Sequence, residues 1–269
     1  MNHARLRVSP DTRVDLAKRD PSDRTGVPSD KVGRVARLRE ISAEIDALQD
    51  RLYAGQRHRV LMVLQGMDTS GKDGTIRHVF SAVDPLGVRA HSFRAPAGEE
   101  LQHGYLWRIH RQVPRAGELV IFNRSHYEDV LVVRVHGRID AEEVRRRLRQ
   151  IREFEQMLAD TGTVIVKFFL HISRDEQRRR LQDRLDDPNK RWKFDPGDLH
   201  ERAHWDAYMA AYEEALGATS RPWAPWYIIP SDSKSTRNLL VSTVLRDRLN
   251  ELGLEYPQPV SDYGGLVIE

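Results

Sequence analysis

The chain has 269 residues, of which 31% are charged, and its formal net charge at pH 7 is only +3. It contains no cysteine, which excludes disulfide bridges and thiolate metal sites. No apolar run approaches the ~18 residues of a membrane-spanning helix, and the start of the chain lacks the apolar core of a signal peptide. These features predict a cytoplasmic protein without a membrane anchor.

Three regions are predicted from the distribution of polar and apolar residues. Residues 1–33 are polar and interrupted by prolines, which predicts an extended N-terminal arm, ordered against the core or a neighbouring subunit. Residues 34–256 form one predicted domain, which opens with an amphipathic helix over 34–54. Residues 257–269 are predicted as a C-terminal tail.

The body of the chain alternates between apolar runs and helical patterns. Runs that are apolar throughout and separated by helices favour an α/β fold with a five-stranded parallel sheet covered on both faces. Strands are predicted at 60–65, 88–93, 119–122, 164–172 and 226–229. Helices are predicted at 72–84, 99–112, 140–160, 174–186, 197–216 and 234–252, with Gly217 ending the helix at 197–216.

The segment GMDTSGKDGT, from Gly66 to Thr75, lies between the first predicted strand and the helix that follows. It matches the phosphate-binding P-loop pattern G-x-x-x-x-G-K-[ST] (Walker A), except that Asp73 replaces the hydroxyl residue. Glycines let backbone N–H groups turn toward a phosphate, and the helix N-terminus adds positive potential. Phosphate-binding residues are therefore predicted as Gly66, Thr69, Ser70, Gly71, Lys72, Asp73 and Gly74.

The loop lacks the hydroxyl that normally contacts magnesium, so carboxylates are expected to hold the ion. Asp68 lies in the loop and Asp129 follows the third strand, which predicts both as ligands of Mg²⁺, with Mn²⁺ possible. The alternatives are a turn-forming Asp68 and a helix-capping Asp129, with Glu128 competing for the metal. Asp73 is as readily explained as a cap of the loop helix.

Two groups of basic residues follow strand ends. Arg124 is placed to grip a phosphate bidentately, although an ion pair with Glu128 or Asp129 is the alternative. The basic loop KRWK at 190–193 follows an arginine-rich helix and indicates a lid, at about 184–217, that closes over a polyanion. A basic loop with a tryptophan also fits single-stranded nucleic acid.

His200, Glu201 and His204 read H-E-x-x-H, the spacing of a zinc protease helix. No third ligand is evident from the sequence, so a lid helix is the favoured interpretation of this segment.

Several motifs in sequence order resemble the polyphosphate kinase 2 family. They are GMDTSGKDG at 66–74, FNRSHYEDV at 122–130, RWKF at 191–194 with the helix through Trp205 and Tyr212, and PWYIIPSDSK at 225–234. The resemblance implies a three-layer α/β/α P-loop kinase fold of the thymidylate-kinase type, with a helical lid. It also implies magnesium-dependent phosphoryl transfer between inorganic polyphosphate and a nucleotide, by dimers or tetramers.

The resemblance also implies roles for individual residues. Catalytic roles fall to Asp68, Lys72, Arg124, Asp129 and Arg178; polyphosphate contacts in the lid fall to Lys190, Arg191 and Lys193. Nucleotide contacts are expected from Asn123, Arg124, Tyr127, Glu128 and Arg134. Many relatives that phosphorylate nucleoside diphosphates have Asp at the position of Asn123, whereas NRSHYED at 123–129 resembles the branch that accepts both AMP and ADP. A neutral amide would also repel an additional phosphate less than a carboxylate does.

The predicted function is therefore a reversible polyphosphate-dependent kinase of AMP and ADP. An ATP-dependent nucleoside or nucleotide kinase on the same fold is the nearest alternative. A nucleic-acid-binding module explains the basic loops but not the glycine loop with its carboxylates, so nucleic acid is an unlikely partner.

Overall fold

A computed structural model describes residues 3–259, 261 and 268. Five strands form one parallel sheet in the order β2-β3-β1-β4-β5. Each predicted strand is confirmed to within one residue at its ends. The strands are β1 (Arg59–Gln65), β2 (Val88–Ser92), β3 (Leu119–Asn123), β4 (Thr163–His171) and β5 (Trp226–Pro230).

The described residues form nine α-helices and five short 3₁₀ helices. The α-helices are α1 (Lys31–Gly55), α2 (Lys72–Val79), α3 (Trp107–His110), α4 (Val132–Val135), α5 (Ala141–Asp160), α6 (Arg174–Asp186), α7 (Gly197–Ala203), α8 (Trp205–Thr219) and α9 (Lys234–Asn250). The 3₁₀ helices are Ala4–Leu6, Leu16–Lys18, Gly98–Gln102, His126–Asp129 and Arg191–Lys193.

Three predicted helices are wrong in extent. The helix predicted at 72–84 ends at Val79. The pattern at 99–112 divides into Gly98–Gln102 and α3, with Gly104, a poor helix former, between them. The pattern at 197–216 breaks at His204, and the second part continues past Gly217 to Thr219. Gly217 has another role, because a Cβ there would lie 2.6 Å from the Thr12 carbonyl oxygen and push the N-terminal arm away.

The sheet is the middle of three layers, as predicted. Alternate side chains of β1 point to opposite faces: Leu61 and Val63 join the cluster that includes α5 and α8, and Met62 joins the cluster that includes α1 and α9. Both faces are therefore sealed by helices, which explains why the strands read as apolar throughout.

The N-terminal arm lies on its own core in the described residues. Leu6, Val8 and Leu16 are at most 3% exposed, and Arg7 pairs with Tyr227 of β5 as an antiparallel bridge. In the predicted C-terminal tail, residues 260, 262–267 and 269 lie outside the described part of the chain. No helix within the described residues is long and apolar enough to cross a membrane.

The predicted lid at 184–217 contains two structurally different parts. Trp205, Tyr208, Tyr212 and Leu216 of α8 are buried in the core, because they pack against α5 and β4. Only the part before α8, namely the basic loop and α7, lies outside the core.

Because all five strands are parallel, their carboxyl ends meet at one edge of the sheet. The glycine loop follows β1, Arg124 follows β3, α6 begins just after β4, and Lys234 begins α9 just after β5. This edge is where open α/β sheets bind their ligands.

Candidate active site

The loop between β1 and α2 has the backbone geometry that glycine permits. Gly66 has φ +150° and Gly71 has φ +107°. A Cβ at Gly71 would lie 1.8 Å from Nη1 of Arg237, so a side chain there would displace this guanidinium and would also be strained at φ +107°. The bend leads directly into α2, whose first-turn N–H groups have no intrahelical partners and are available to an anion.

Lys72 lies inside this bend. Its Nζ donates to the Gly66 carbonyl at 2.7 Å and to the Met67 carbonyl at 3.3 Å. Burial, together with the positive charge of Arg124, lowers the pKa of Lys72 to about 8, although Asp68 opposes this shift. An anion that entered the loop would favour the charged lysine.

Two buried arginines hold the outer side of the loop. Arg180 of α6 donates to the carbonyls of Thr69 and Ser70 at 3.0 and 3.1 Å. Arg237 of α9 donates to the Ser70 carbonyl at 3.0 Å. These bonds engage the loop carbonyls and bring two guanidinium groups close to the phosphate loop.

A cavity of about 620 Å³ opens above the loop. Basic side chains outnumber acidic ones in its lining, which makes it suited to a polyanion. The basic residues are Lys72, Arg94, Arg124, Arg180, Arg184, Lys190, Lys193, Lys234 and Arg237; Asp68, Thr69, Gly71, Asp73, Gly74 and Asn123 also line it.

A second cavity, of about 270 Å³, adjoins the first. Asp68 and Arg124 line both cavities, and Glu128, Tyr208 and Gly66 line only the second of these two. The predicted phosphate ligands of the loop therefore reach one cavity or the other, except Ser70. Ser70 is fully buried, and its main chain is bonded to Met67, Arg180 and Arg237, so it supports the loop and contacts no ligand in either cavity.

Arg124 and Asp68 form an ion pair at 2.6 Å where the two cavities meet. Burial opposes the charge of Arg124, but Glu128 and Asp68 outweigh it and raise the pKa of this guanidinium. Burial raises the pKa of Glu128, while Arg124 and Lys72 partly offset that shift. Asp198 lines both cavities too, so carboxylates and cations face each other at this junction.

Asn123 ends β3 and lines the larger cavity. Its amide nitrogen donates to the Asp73 carboxylate at 2.7 Å and to the Ser92 hydroxyl at 3.2 Å. No side chain caps α2, so Asp73 is held by Asn123 rather than used as the predicted cap.

The structure does not bring Asp129 to the cavities that Asp68 lines, so their predicted shared metal site is not formed here. Asp129 is buried against Arg108, with 3.3 Å between Oδ2 and Nη2, and it lines neither cavity that Asp68 lines. Glu128 faces the second cavity instead. The physical reason is the 3₁₀ helix His126–Asp129, in which neighbouring side chains point about 120° apart.

Tyr127 was predicted to contact the nucleotide, but it is 1% exposed and lies in the core. Its hydroxyl donates to Glu155 at 2.8 Å and accepts from the Lys167 ammonium at 2.9 Å. Burial disfavours the charge of Glu155, but Lys167 and His126 outweigh it and lower the pKa of this carboxyl. Tyr127 therefore belongs to a buried polar network and cannot contact a ligand in either cavity.

Three further predicted residues lie outside both cavities. Arg178 is exposed on the outer face of α6, since Arg180 and Arg184 occupy the inner face. Arg134 pairs with Glu214 of α8 at 2.6 Å. Arg191 donates to the Leu185 carbonyl at 3.0 Å near the end of α6. The other predicted lid cations, Lys190 and Lys193, do line the larger cavity.

Sequence reasoning missed several lining residues. Arg180 and Arg184 are four residues apart in α6, a spacing that puts them on one helix face, and that face is turned to the cavity. Lys234 closes a motif already recognised at 225–234. Nothing in the sequence indicated that Arg237 reaches the loop, because a single arginine in a long helix is usually solvent-exposed.

Comparisons with known proteins agree with this geometry. The family model for Polyphosphate kinase 2 (PPK2) matches residues 29–255. An AMP/ADP-polyphosphate phosphotransferase of Meiothermus ruber is 54% identical over 265 residues, covering 98% of this chain and 99% of that protein. An ADP-polyphosphate phosphotransferase of Rhodopseudomonas palustris is 46% identical over 233 residues, covering 82% and 81%.

The fold is also shared with a solved structure. The crystal structure of polyphosphate kinase 2 from Arthrobacter aurescens TC1 superposes with a TM-score of 0.93 at 45% sequence identity, covering 96% of this chain and 92% of that one. The family match and the relatives extend over nearly the whole chain, including the glycine loop, the strand ends and the basic loop. This chain belongs to the polyphosphate kinase 2 family.

Proposed function

We propose that this protein is a phosphotransferase that uses inorganic polyphosphate to convert AMP to ADP and ADP to ATP, reversibly. The observation that carries the proposal is the basic cavity above the glycine loop, with Lys72 and Arg180 beside the loop. The names of the relatives from Meiothermus ruber and Rhodopseudomonas palustris support polyphosphate as one substrate and an adenine nucleotide as the other.

The two cavities suggest how the substrates are arranged. The larger one has the excess of cations that a long polyanion needs, so the polyphosphate chain occupies it. The smaller one has two tyrosines in its lining, which offer surface to a base, and Arg124 at its junction with the larger one, so we assign the nucleotide to it with its phosphates toward Arg124. The reacting phosphates meet at Asp68 and Arg124, which line both cavities.

The residues at the junction fit a magnesium ion. Asp68 and Glu128 supply the carboxylate oxygens that Mg²⁺ prefers, and both face the cavity in which phosphate oxygens would complete the coordination. Asp68 would exchange its ion pair with Arg124 for the metal. Bound there, Mg²⁺ (or Mn²⁺) supplies charge neutralisation between donor and acceptor phosphates.

The chemistry requires little beyond placement. An oxygen of the acceptor phosphate forms a bond to the terminal phosphorus of polyphosphate, and the bridging P–O bond of the chain breaks. The attacking oxygen is already anionic, so no strong general base is needed. Lys72 and Arg124 offset charge on the transferring group, and the basic loop, when closed, excludes water.

A direct assay tests the function. Purified protein is incubated with magnesium, polyphosphate and either AMP or ADP in separate tubes, and the products are resolved by chromatography. ADP and ATP are expected. Use of ATP as donor with no use of polyphosphate would support the alternative kinase, and salt-sensitive binding of RNA without turnover would support a nucleic-acid module.

Asn123 is proposed to set the balance between AMP and ADP. An Asn123→Asp variant puts a second carboxylate beside Asp73, whose oxygen now accepts the Asn123 amide at 2.7 Å. Asn123 lines the larger cavity beside Arg124, where the nucleotide phosphates meet the polyphosphate chain. Repulsion of the more highly charged nucleotide at that junction is expected to lower the ratio of kcat/KM for ADP to that for AMP. Adding Asp73→Asn is the matched control and restores the ratio; an unchanged ratio in Asn123→Asp contradicts the role.

Two further expectations remain predictions. Homo-oligomers (a dimer or tetramer) are expected from the family resemblance and are checked by light scattering on the full chain. A cytoplasmic location is checked by fractionating the source cells.

A further inference from the structure

Three histidines converge where α4 meets α7, outside both cavities. His136 follows the end of α4, His200 lies in α7, and His204 follows the end of α7. One potential ligand atom from each lies within 4.8 Å of the other two. The sequence offered only His200 and His204, and tertiary structure supplies the third ligand that the sequence lacked.

The rings are close together and have few other partners. Ring centroids lie 5.2 Å apart for His200 and His204, and 5.6 Å apart for His136 and His204. In the part of the chain that the structure describes, the rings of His200 and His204 make no hydrogen bond. Their four nitrogens are thus available to an ion.

Glu201 orients the third histidine. Its carboxylate accepts a hydrogen bond from Nε2 of His136 at 3.0 Å, and the Tyr208 hydroxyl donates to the same carboxylate. A histidine that binds a metal usually donates its other ring N–H to a carboxylate, which fixes its tautomer and orientation. Nδ1 of His136 is then the nitrogen that can bind an ion.

The same contacts exclude the protease interpretation of H-E-x-x-H. In that mechanism the glutamate faces the metal-bound water as a general base. Here Glu201 is bonded to His136 and Tyr208, so it is an outer partner of the cluster rather than a base.

We propose that His136, His200 and His204 bind a divalent transition-metal ion of the zinc class and thereby fasten α7 to α4. Imidazole ligands suit Zn²⁺, Co²⁺ or Ni²⁺, whereas Mg²⁺ takes oxygen ligands. Three histidines leave one tetrahedral position for water. This site is separate in chemistry and place from the carboxylates proposed for magnesium.

The position of α7 gives such an ion a structural consequence. Asp198 lines both cavities, and Glu201 lines the smaller one. The segment that carries them is attached to α4 by side-chain contacts such as His136–Glu201. An ion bound by both helices fixes that segment against the core and reduces local opening of α7.

Binding is tested on the full, untagged chain in excess Mg²⁺. Co²⁺ is the spectroscopic probe, since a tetrahedral Co²⁺ complex absorbs visible light, and Zn²⁺ is titrated by calorimetry. One ion per chain is expected, with Zn²⁺ displacing Co²⁺.

His136→Ala and His200→Ala are expected to abolish the absorption, and Glu201→Gln to weaken binding ~10–100-fold. His200 is exposed, so its replacement leaves folding intact, which circular dichroism verifies.

His103→Ala is the matched control, because His103 stacks on Trp107 away from the cluster, with centroids 4.0 Å apart. It is expected to bind like the parent protein. Equal loss in His103→Ala, or unchanged binding in folded His200→Ala, overturns the site. Hydrogen exchange provides the second readout: Zn²⁺ should slow exchange of α7 amides in the parent and not in His136→Ala. Binding without slower exchange overturns the fastening of α7.

Discussion

Glu128 and Asp129 are neighbours in sequence, yet the structure predicts opposite results when each is neutralised. Glu128 faces the cavity shared with Asp68 and Arg124, whereas Asp129 is buried against Arg108. Glu128→Gln and Asp129→Asn each remove one negative charge with almost no change of shape. Comparing the two variants therefore shows which carboxylate is needed for catalysis and which is needed for stability of the fold.

Glu128→Gln is expected to impair activity and leave the fold unharmed. Loss of one preorganised charged group costs ~100-fold or more in kcat, and the requirement for Mg²⁺ should rise. Burial raises the pKa of Glu128, so its ionised form is a cost to folding at neutral pH. The glutamine removes that cost, and the midpoint of thermal unfolding should stay the same or increase.

Asp129→Asn is expected to do the reverse. It weakens a charged hydrogen bond to Arg108, worth about 1.5–3 kcal/mol. Burial also raises the pKa of Asp129, so removal of its buried charge offsets part of this loss. Arg108 keeps the Arg94 carbonyl at 2.6 Å and Glu100 at 3.6 Å, so complete loss of the fold is not expected. At ~2–4 °C per kcal/mol for a chain of this size, the unfolding midpoint should fall by several degrees.

The assays are thermal unfolding and initial rates of ADP and ATP formation across a magnesium titration. Any loss of activity in Asp129→Asn should follow its loss of folded protein. A higher magnesium requirement in Asp129→Asn, together with a normal one in Glu128→Gln, would refute the assignment and restore Asp129 as the metal ligand.

Three other substitutions probe the loop and the core. Because burial lowers the pKa of Lys72 to about 8, kcat/KM for polyphosphate should fall as pH rises through about 8, and Lys72→Arg should remove that fall; a flat parent profile contradicts it. Gly71→Ala should inactivate the enzyme because its Cβ would clash at 1.8 Å, whereas Gly98→Ala, with φ +57° and open space, should cost only ~1–2 kcal/mol of stability in urea unfolding. Lys167→Met removes the ammonium partner of Glu155 and leaves this buried carboxylate with only Tyr127 and His126, which should cost ~3–5 kcal/mol. Adding Glu155→Leu should recover much of that cost, and no recovery would contradict the pair.

The chain itself determined the sheet and the phosphate loop. The five apolar runs predicted all five strands, because strands buried on both faces leave an unbroken apolar signal. The loop was equally clear: the glycines, Lys72 and the flanking strand and helix are adjacent in sequence, and their chemistry is local.

The side-chain directions at the site came from tertiary structure alone. Asp129, Arg178 and Arg191 are on elements that lie near the cleft, but each points elsewhere. One residue along a 3₁₀ helix or two along an α-helix rotates a side chain away, and a motif does not specify that rotation. Glu128 lies in the same motif as Asp129, and Arg180 lies in the same helix as Arg178, yet Glu128 and Arg180 face the cavities.

Contacts between segments that are distant in the chain could not be predicted from the sequence either. Arg237 holds the glycine loop from α9, Tyr127 sits in a buried network with Lys167, and His136 completes a cluster with histidines of α7. Local sequence patterns indicate the period of a helix or strand. Which faces of two elements contact each other depends on how all the layers pack. The sequence therefore determined the elements and the loop, and only packing decided which charges meet.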